Sequence, residues 1–127
     1  MRHMSTSIVL ADDDSRFRSI VRSALEHDGY AVVAEAGTAG EARAMAELHQ
    51  PDVIVIDLVM EGSDGLSTAR ELLEDDPERP VLVMSSLFDP VVEQEAVRLG
   101  AWYLEKVEGV EALEHLITDA VSVTRRP

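Results

Sequence analysis

Short apolar runs alternate with longer segments of helical spacing from one end of the chain to the other. The runs are rich in valine, isoleucine and alanine, and a continuous apolar run of this kind is typical of a strand buried on both faces. Five such runs predict five β-strands, at 7–11, 30–36, 51–60, 81–84 and 101–105.

The segments between these runs carry apolar residues three and four positions apart, which is the spacing of an amphipathic helix. Asp14 or Ser15 is expected to cap the first helix and Gly29 to end it. Thr38 and Glu41 have the spacing of a capping box at the start of the second. Pro51 is expected to end the second helix, and a loop at 61–65 precedes the third. Asp89-Pro90 is expected to begin the fourth helix and Gly100 to end it. The fifth helix is predicted from its apolar face between Val110 and Val121.

The predicted order is strand and helix repeated five times. Strands that alternate with helices form a parallel sheet covered on both faces and joined by right-handed crossovers. The chain of 127 residues suffices for one such domain, whereas a closed barrel needs eight units. We predict an α/β fold with a doubly wound, flavodoxin-like parallel sheet of order 2-1-3-4-5. The domain is expected at 7–123, with a tail at 1–6 and a tail or the start of a linker at 124–127.

Polar residues end four of the predicted strands. They are Asp12 and Asp13 after the first strand, Asp57 at the end of the third, Ser85 and Ser86 after the fourth, and Lys106 after the fifth. Strands one and three are neighbours in the predicted order, and ligands bind where such an order reverses. The sequence therefore predicts a crevice that contains three carboxylates, with hydroxyls and an ammonium group on its far side.

Three carboxylates in one crevice repel one another, and a hard divalent cation removes that repulsion. Oxygen ligands without histidine or cysteine suit Mg²⁺ or Ca²⁺. With Mg²⁺ held by one or two carboxylates and a phosphate, Asp57 is free to act as a nucleophile on a phosphoryl group. Lys106 is then expected to pair with the phosphoryl oxygens, and Ser85 to donate a hydrogen bond to them.

Each of these residues has an ordinary explanation when it is taken alone. A strand-end carboxylate caps the next loop, an acidic run favours a helix N-terminus, two serines form a turn, and a lysine is usually solvated. The four histidines show no ligand spacing, and Trp102 and Tyr103 are most simply core or edge-strand aromatics. The site is indicated by the combination, because every one of these polar residues stands at the end of a predicted strand.

The net charge is −14, from 25 acidic and 11 basic residues. This excess argues against direct nucleic-acid binding by the chain. Cysteine is absent, no apolar run is long enough to span a membrane, and no secretory signal follows Met1. We therefore expect a cytoplasmic protein without membrane contact.

Taken together, these residues resemble the receiver domain of bacterial two-component response regulators. The markers are Asp12-Asp13, Asp57-Leu58-Val59-Met60 with Asp64-Gly65, Ser85, Gly100-Ala101 and Lys106, over a stretch from Ile8 to about Val121. Lys106-Val107-Glu108 is similar to the NarL/FixJ type of receiver, which normally precedes a helix-turn-helix DNA-binding domain. No such domain follows within this sequence.

The resemblance implies a role for each marker. Asp57 is the phosphoacceptor, and Mg²⁺ (or Mn²⁺) is held by Asp12, Asp13, Asp57 and the backbone carbonyl of Val59. The phosphate-binding and switch residues are Ser85, Ser86, Tyr103 and Lys106. The donor is a phosphohistidine on a sensor histidine kinase. The chain is then a signalling switch and not an enzyme, apart from its own aspartyl phosphorylation and dephosphorylation.

The resemblance also implies an output. Phosphorylation is expected to change the face formed by helix four, strand five and helix five. That face would then form a homodimer or control an effector domain, which we expect to be transcriptional.

Four positions depart from the pattern of this family. Glu61 replaces the usual proline, Val59 offers no polar side chain two residues after the acceptor, and Val107 follows the lysine in place of proline. The run from Ala101 to Lys106 is one residue short, with Trp102 in place of glycine.

Two readings from other classes stay open beside this one. A pseudo-receiver would act as an interaction module without phosphorylation, although such modules usually lose an acidic residue, the acceptor or the lysine. A phosphatase of the haloacid-dehalogenase type would need a second acid where Val59 stands. A nucleotide-binding protein is disfavoured because no glycine-rich loop follows the first strand.

Overall fold

The computed structural model describes residues 5–60 and 63–124. The main strands are β1 (Ser7–Ala11), β2 (Ala31–Ala36), β3 (Val53–Asp57), β4 (Val81–Ser85) and β5 (Trp102–Glu105). The helices are α1 (Ser15–His27), α2 (Ala39–His49), α3 (Gly65–Asp75), α4 (Pro90–Leu99) and α5 (Gly109–Thr124). A 3₁₀ turn spans Lys106–Glu108, and two short strands lie at Val59–Met60 and Ser63–Asp64. None of the described helices is long and apolar enough to cross a membrane.

The five main strands form one parallel sheet in the order β2-β1-β3-β4-β5. This confirms the predicted α/β fold and its strand order. The order reverses between β1 and β3, where Ala11 pairs with Ile56. The residues that follow these two strands therefore lie side by side at the carboxyl edge of the sheet.

Two hydrophobic clusters lie on opposite faces of the sheet, because successive side chains of a strand point to opposite sides. On one face, Val9 and Ile54 pack with small residues of α2 and with Leu72 of α3. On the other face, Ile8 and Val55 pack with Leu25 of α1 and Leu113 of α5. The uninterrupted Val-Ile-Val-Ile run of β3 is explained by this arrangement, since both faces of the central strand are buried.

Most residues that are predicted to cap or end a helix lie at the helix ends in the structure. The Asp14 carboxylate accepts hydrogen bonds from the amides of Arg16 and Phe17, so Asp14 and not Ser15 caps α1. Gly29 follows α1 with a φ of 97°, a conformation that favours glycine. The α2 capping box differs in one bond, because the Glu41 carboxylate accepts from the Gly37 amide, one residue before the Thr38 cap.

The third strand is shorter than predicted, and its second half folds back. β3 ends at Asp57, and Val59–Met60 pairs antiparallel with Ser63–Asp64. The change of direction occurs at Leu58, whose amide donates to the Met84 carbonyl and whose carbonyl accepts from the Gly65 amide. The apolar pattern cannot show this turn, because Val59 and Met60 continue the run of strand-forming residues.

Ordered contacts of the chain extend slightly beyond the predicted domain of 7–123. Thr6, which stands in the predicted tail, is buried, and its carbonyl accepts a hydrogen bond from the Ala31 amide. Helix α5 continues to Thr124. The predictions for residues 1–4 and 125–127, and the departure at Glu61, lie outside the described residues.

Candidate functional site

Three carboxylates meet where the strand order reverses. Asp12 directly follows β1, Asp57 ends β3, and Asp13 stands next to Asp12 at the same edge. A carboxylate oxygen of each residue lies within 4.8 Å of the other two. Asp12 and Asp57 are only 2% and 6% exposed, whereas Asp13 faces solvent. The predicted convergence of these side chains is therefore present in the fold.

This cluster fits a hard divalent cation by the chemistry of its donors. All three groups are carboxylates, and their oxygens are near enough to one another to share one ion. The solvent-facing side at Asp13 leaves room for the water molecules that Mg²⁺ retains. Within the part of the chain that the structure describes, the residues suited to hold a divalent cation are thus Asp12, Asp13 and Asp57.

The Lys106 ammonium already bridges two of these carboxylates. Its Nζ lies 2.6 Å from Oδ2 of Asp12 and 3.4 Å from Oδ2 of Asp57. The same Nζ lies 4.3 Å from the centre of the Phe17 ring, so the aromatic face of α1 also stabilises the cation. The lysine is therefore held by three contacts at the mouth of the crevice.

Burial and charge perturb the two central groups of the site. The pKa of the Asp57 carboxyl is raised, mainly by burial and then by the charge of Asp12, although Lys106 and the Val59 amide act in the opposite direction. For Lys106, burial disfavours the charged form, but its hydrogen bond to Asp12 and the charge of Asp57 outweigh that effect and raise its pKa. The lysine consequently remains a cation throughout the physiological pH range.

Several backbone bonds fix the Asp12 side chain and main chain. Its Oδ1 accepts from the Asp14 amide at 2.9 Å, and its own amide donates to the Ala36 carbonyl at 2.9 Å. Arg18 Nη1 also donates to the Asp12 carbonyl oxygen. This carboxylate is therefore oriented by β2 and by the start of α1.

The Ser85 hydroxyl is buried but is bonded to its own loop. Ser85 Oγ donates to the Leu87 carbonyl at 2.5 Å and accepts from the Leu87 amide at 3.3 Å. The Tyr103 hydroxyl donates to the same carbonyl at 3.5 Å. Ser86 is exposed. The structure thus connects Ser85 and Tyr103 through one shared acceptor.

Two contacts at the site are not predicted by the sequence pattern. The helical spacing places Phe17 only on an apolar face, although its ring lies against Lys106, and nothing in the pattern distinguishes Arg18, which binds the Asp12 carbonyl. The available signal was their position in the first turn of the helix that follows the acidic run. The Val59 side chain is 72% exposed, and its amide lies 3.5 Å from Oδ1 of Asp57.

Sequence comparison assigns this arrangement to a family. The sequence pattern of the response regulator receiver domain matches residues 8–118. The chain belongs to the response regulator receiver domain family. This confirms the resemblance that was inferred from the strand-end residues.

Relatives with known names and structures agree with this assignment. The transcriptional regulatory protein PdtaR of Mycobacterium tuberculosis is 32% identical over 116 residues, which cover 91% of this chain and 56% of PdtaR. This chain thus spans little more than half the length of that relative.

Solved receiver structures have the same fold. The signal receiver domain of a response regulator named NarL from Mycobacterium tuberculosis has a TM-score of 0.86 and 28% identity, covering 93% of this chain and 97% of the other. A two-component response regulator of the LuxR family from Aurantimonas sp. SI85-9A1 has a TM-score of 0.80 and 32% identity, covering 89% and 85%. Receivers of the NarL and LuxR type are therefore among its structural neighbours.

Proposed function

We propose that this receiver domain accepts a phosphoryl group on Asp57 from a phosphohistidine of a sensor histidine kinase, in a reaction that requires Mg²⁺. The observation that carries the proposal is the Lys106 ammonium between the carboxylates of Asp12 and Asp57, with Asp13 within reach. A buried acidic pair of this kind has a strong requirement for positive charge. A divalent cation would supply positive charge to these carboxylates. The Lys106 ammonium would then be available to a negatively charged phosphoryl group.

The reaction needs Asp57 as a nucleophile. An oxygen of the ionised Asp57 carboxylate forms a bond to phosphorus, the bond from phosphorus to the histidine nitrogen breaks, and the electron pair of that bond stays on the imidazole. When bound, Mg²⁺ supplies positive charge to the phosphoryl oxygens and relieves the repulsion among the acidic residues.

The residues around Asp57 contribute to the proposed reaction by binding the cation or the phosphoryl group. Asp12, Asp13 and Asp57 would hold the cation in this proposal, and the Val59 backbone carbonyl would be a further ligand. The Lys106 ammonium gives up its short contact with Asp12 and pairs with an oxygen of the new phosphoryl group as a point charge. The cation–π contact with Phe17 keeps the ammonium near the crevice during this exchange.

The proposed switch begins at Ser85. In the structure its hydroxyl donates to the Leu87 carbonyl. A phosphoryl group on Asp57 offers a charged acceptor, and a hydrogen bond to a charged group is stronger than one to a neutral carbonyl. Ser85 would therefore turn towards the phosphoryl group, with Ser86 beside it, and leave the Leu87 carbonyl with Tyr103 as its donor.

The output surface is the face formed by α4, β5 and α5. Val91 and Val97 of α4 are 67% and 64% exposed, and Trp102 of β5 is half-buried. A change at Leu87 and Tyr103 alters the edge of this face. We propose that the altered face forms a homodimer or controls a DNA-binding effector domain in a longer protein, in the cytoplasm.

Beryllofluoride tests the acceptor assignment, because it mimics a phosphoryl group bound to a carboxylate. Fluorine NMR of the protein with Mg²⁺ and beryllofluoride should give bound signals. These signals should disappear for Asp57→Asn and after removal of Mg²⁺ with EDTA. Bound signals that persist in folded Asp57→Asn would show that Asp57 is not the acceptor.

Ser85→Ala tests the switch separately from the acceptor. This variant should bind beryllofluoride, since Asp57 and Lys106 are unchanged, but its α4-β5-α5 face should respond less. Amide chemical-shift changes at Val91 and Tyr103 measure that response. If these shifts change as fully in Ser85→Ala as in the unmodified protein, the coupling through Ser85 is wrong.

A further inference from the structure

Arg18 joins three parts of the fold next to the acidic crevice. It lies in α1 and is only 18% exposed on its side chain. Its Nε donates to Oε1 of Glu35 in β2 at 2.9 Å, and its Nη1 donates to the main-chain carbonyl of Asp12. One guanidinium group therefore connects α1, β2 and the first acidic residue.

The carbonyl that Arg18 contacts belongs to the peptide between Asp12 and Asp13. The orientation of this peptide sets the direction in which Asp13 leaves the backbone. Asp12 is fixed on its own side by its amide bond to Ala36 and by its carboxylate contacts with Asp14 and Lys106. Arg18 adds a hydrogen bond at the carbonyl, on the side that leads to Asp13. The relative position of the two carboxylates thus depends on this contact.

Glu35 keeps the guanidinium in place. Its other oxygen accepts from Nη1 of Arg22 at 2.8 Å, so both oxygens of this carboxylate are occupied by arginines one turn apart on α1. With Nε fixed on Glu35, the planar guanidinium has its Nη1 directed at the Asp12 carbonyl. A lysine has no rigid fork and cannot reproduce this pair of directed bonds.

We propose that Arg18 is a positioning residue for the divalent cation, acting by fixing the peptide that links Asp12 and Asp13. This inference rests on the proposed function of that acidic pair. If Arg18 positions the site, its replacement weakens cation binding, whereas the loss of its positive charge alone would strengthen it. A positive group near the crevice repels a cation, so removing its charge alone would tighten cation binding. Loss of the positioning contact weakens it instead.

The test is Mn²⁺ binding, followed by electron paramagnetic resonance of the free ion. Arg18→Met should bind Mn²⁺ about ten-fold more weakly, which is the usual effect of losing a group that orients metal ligands. Arg18→Lys keeps the charge and should also bind more weakly. Arg22→Met is the matched control, because Arg22 binds Glu35 without contacting Asp12, and its affinity should stay within about two-fold.

Two further readouts separate positioning from general destabilisation. Urea unfolding in EDTA compares the stability of Arg18→Met and Arg22→Met without any cation. The amide shift of Asp13, whose nitrogen lies in the peptide that Arg18 contacts, should change in both Arg18 variants and not in Arg22→Met. If Arg18→Met does not fold, Arg18→Lys carries the same test.

The outcomes distinguish this inference from the proposed function. If the unmodified protein binds no Mn²⁺, the proposed cation site fails and this inference fails with it. If the unmodified protein binds Mn²⁺ and folded Arg18 variants bind it equally or more tightly, the site stands and the positioning role of Arg18 is overturned. Equal weakening in Arg18→Met and Arg22→Met would also overturn it.

Discussion

At the scale of single residues, Lys106 and the proposed divalent cation share the same carboxylate partners. Lys106 Nζ lies 2.6 Å from Oδ2 of Asp12 and 3.4 Å from Oδ2 of Asp57, two of the three residues suited to hold a divalent cation. The ammonium is thus an internal counter-ion for these two carboxylates. Two positive groups near the same buried oxygens repel each other, so each weakens the binding of the other.

Replacement of this lysine is therefore expected to have opposite effects on two properties. Lys106→Met should bind Mg²⁺ about ten-fold more tightly, because the competing charge is gone, and this corresponds to about 1.4 kcal/mol. Without Mg²⁺ it should be less stable than the unmodified protein, since the carboxylates lose their partner. Isothermal titration with Mg²⁺ measures the first effect and urea unfolding in EDTA the second. Weaker Mg²⁺ binding in the folded variant would contradict the competition.

The sequence predicts the gathering of Asp12, Asp13, Asp57 and Lys106, because parallel strands bring their carboxyl ends to one edge. It does not predict the bond from Ser85 to Leu87 or the contact of Arg18 with Asp12. These depend on side-chain rotamers and on the direction of loop carbonyls. The residue pattern carries no information about either.

At the scale of elements, the turn from β3 into α3 is the tightest place beside the site. A Cβ atom on Gly65 would lie 2.6 Å from the Leu58 carbonyl oxygen and 2.7 Å from that of Asp57. Both are backbone atoms and cannot move without displacing the end of β3. This close approach explains why glycine begins α3.

Gly65→Ala should therefore lower the free energy of unfolding by about 1–3 kcal/mol, the usual cost of forcing an extra carbon atom into a packed region. Gly40→Ala is the control, because a Cβ there meets nothing within 4 Å and the residue lies in α2. Alanine at that position should stabilise the protein by about 0.5–1 kcal/mol. Urea unfolding of both variants gives the two values, and a Gly65→Ala protein as stable as the unmodified one would show that the turn adapts freely.

The packing of α5 against the end of α1 introduces a pH dependence away from the site. Glu114 of α5 lies near Asp28 and Glu111, and Tyr30 bonds to its backbone carbonyl. Among the described residues, its Oε2 is buried without a hydrogen-bond partner. Burial, and then the hydrogen bond and charge of Asp28 and the charge of Glu111, raise the pKa of Glu114 from 4.5 to about 7.

This raised pKa stabilises the fold at low pH. Below the pKa that Glu114 has in the unfolded chain, this residue is protonated in both the folded and the unfolded protein, and the stability that it contributes is fully present. That stability is lost as the pH rises through the pKa of Glu114 in the folded protein. Glu114→Gln removes the charge, so it should be more stable than the unmodified protein by about 1–2 kcal/mol at about pH 8, and the difference should shrink towards about pH 5. Urea unfolding across this range measures it. A difference that does not change with pH would contradict the assignment.

Most elements follow from the hydrophobic pattern, and the misses have physical reasons. The pattern predicts all five strands of the sheet, because each buried run is bounded by a helix signal. It extends β3 through Met60, since valine and methionine there look like strand residues although they pair with Ser63–Asp64. The 3₁₀ turn at Lys106–Glu108 is also not predicted, because three residues are too few for a period.

At the scale of the whole molecule, both the strand order and the net charge favour cation binding at the acidic crevice. The strand order places the reversal point between β1 and β3, and the acidic crevice forms there. The net charge of −14 adds a negative field that attracts divalent cations and repels nucleic acid. The charge of the chain thus suits cation binding and disfavours direct contact with nucleic acid.

The most direct test of the central claim is intact-mass spectrometry after incubation with acetyl phosphate and Mg²⁺. The unmodified protein should gain one phosphoryl group. Asp57→Asn, and the unmodified protein in EDTA, should gain none while remaining folded. An adduct that persists on Asp57→Asn, or the absence of any adduct on folded unmodified protein, would contradict the assignment of Asp57 as a Mg²⁺-dependent phosphoacceptor.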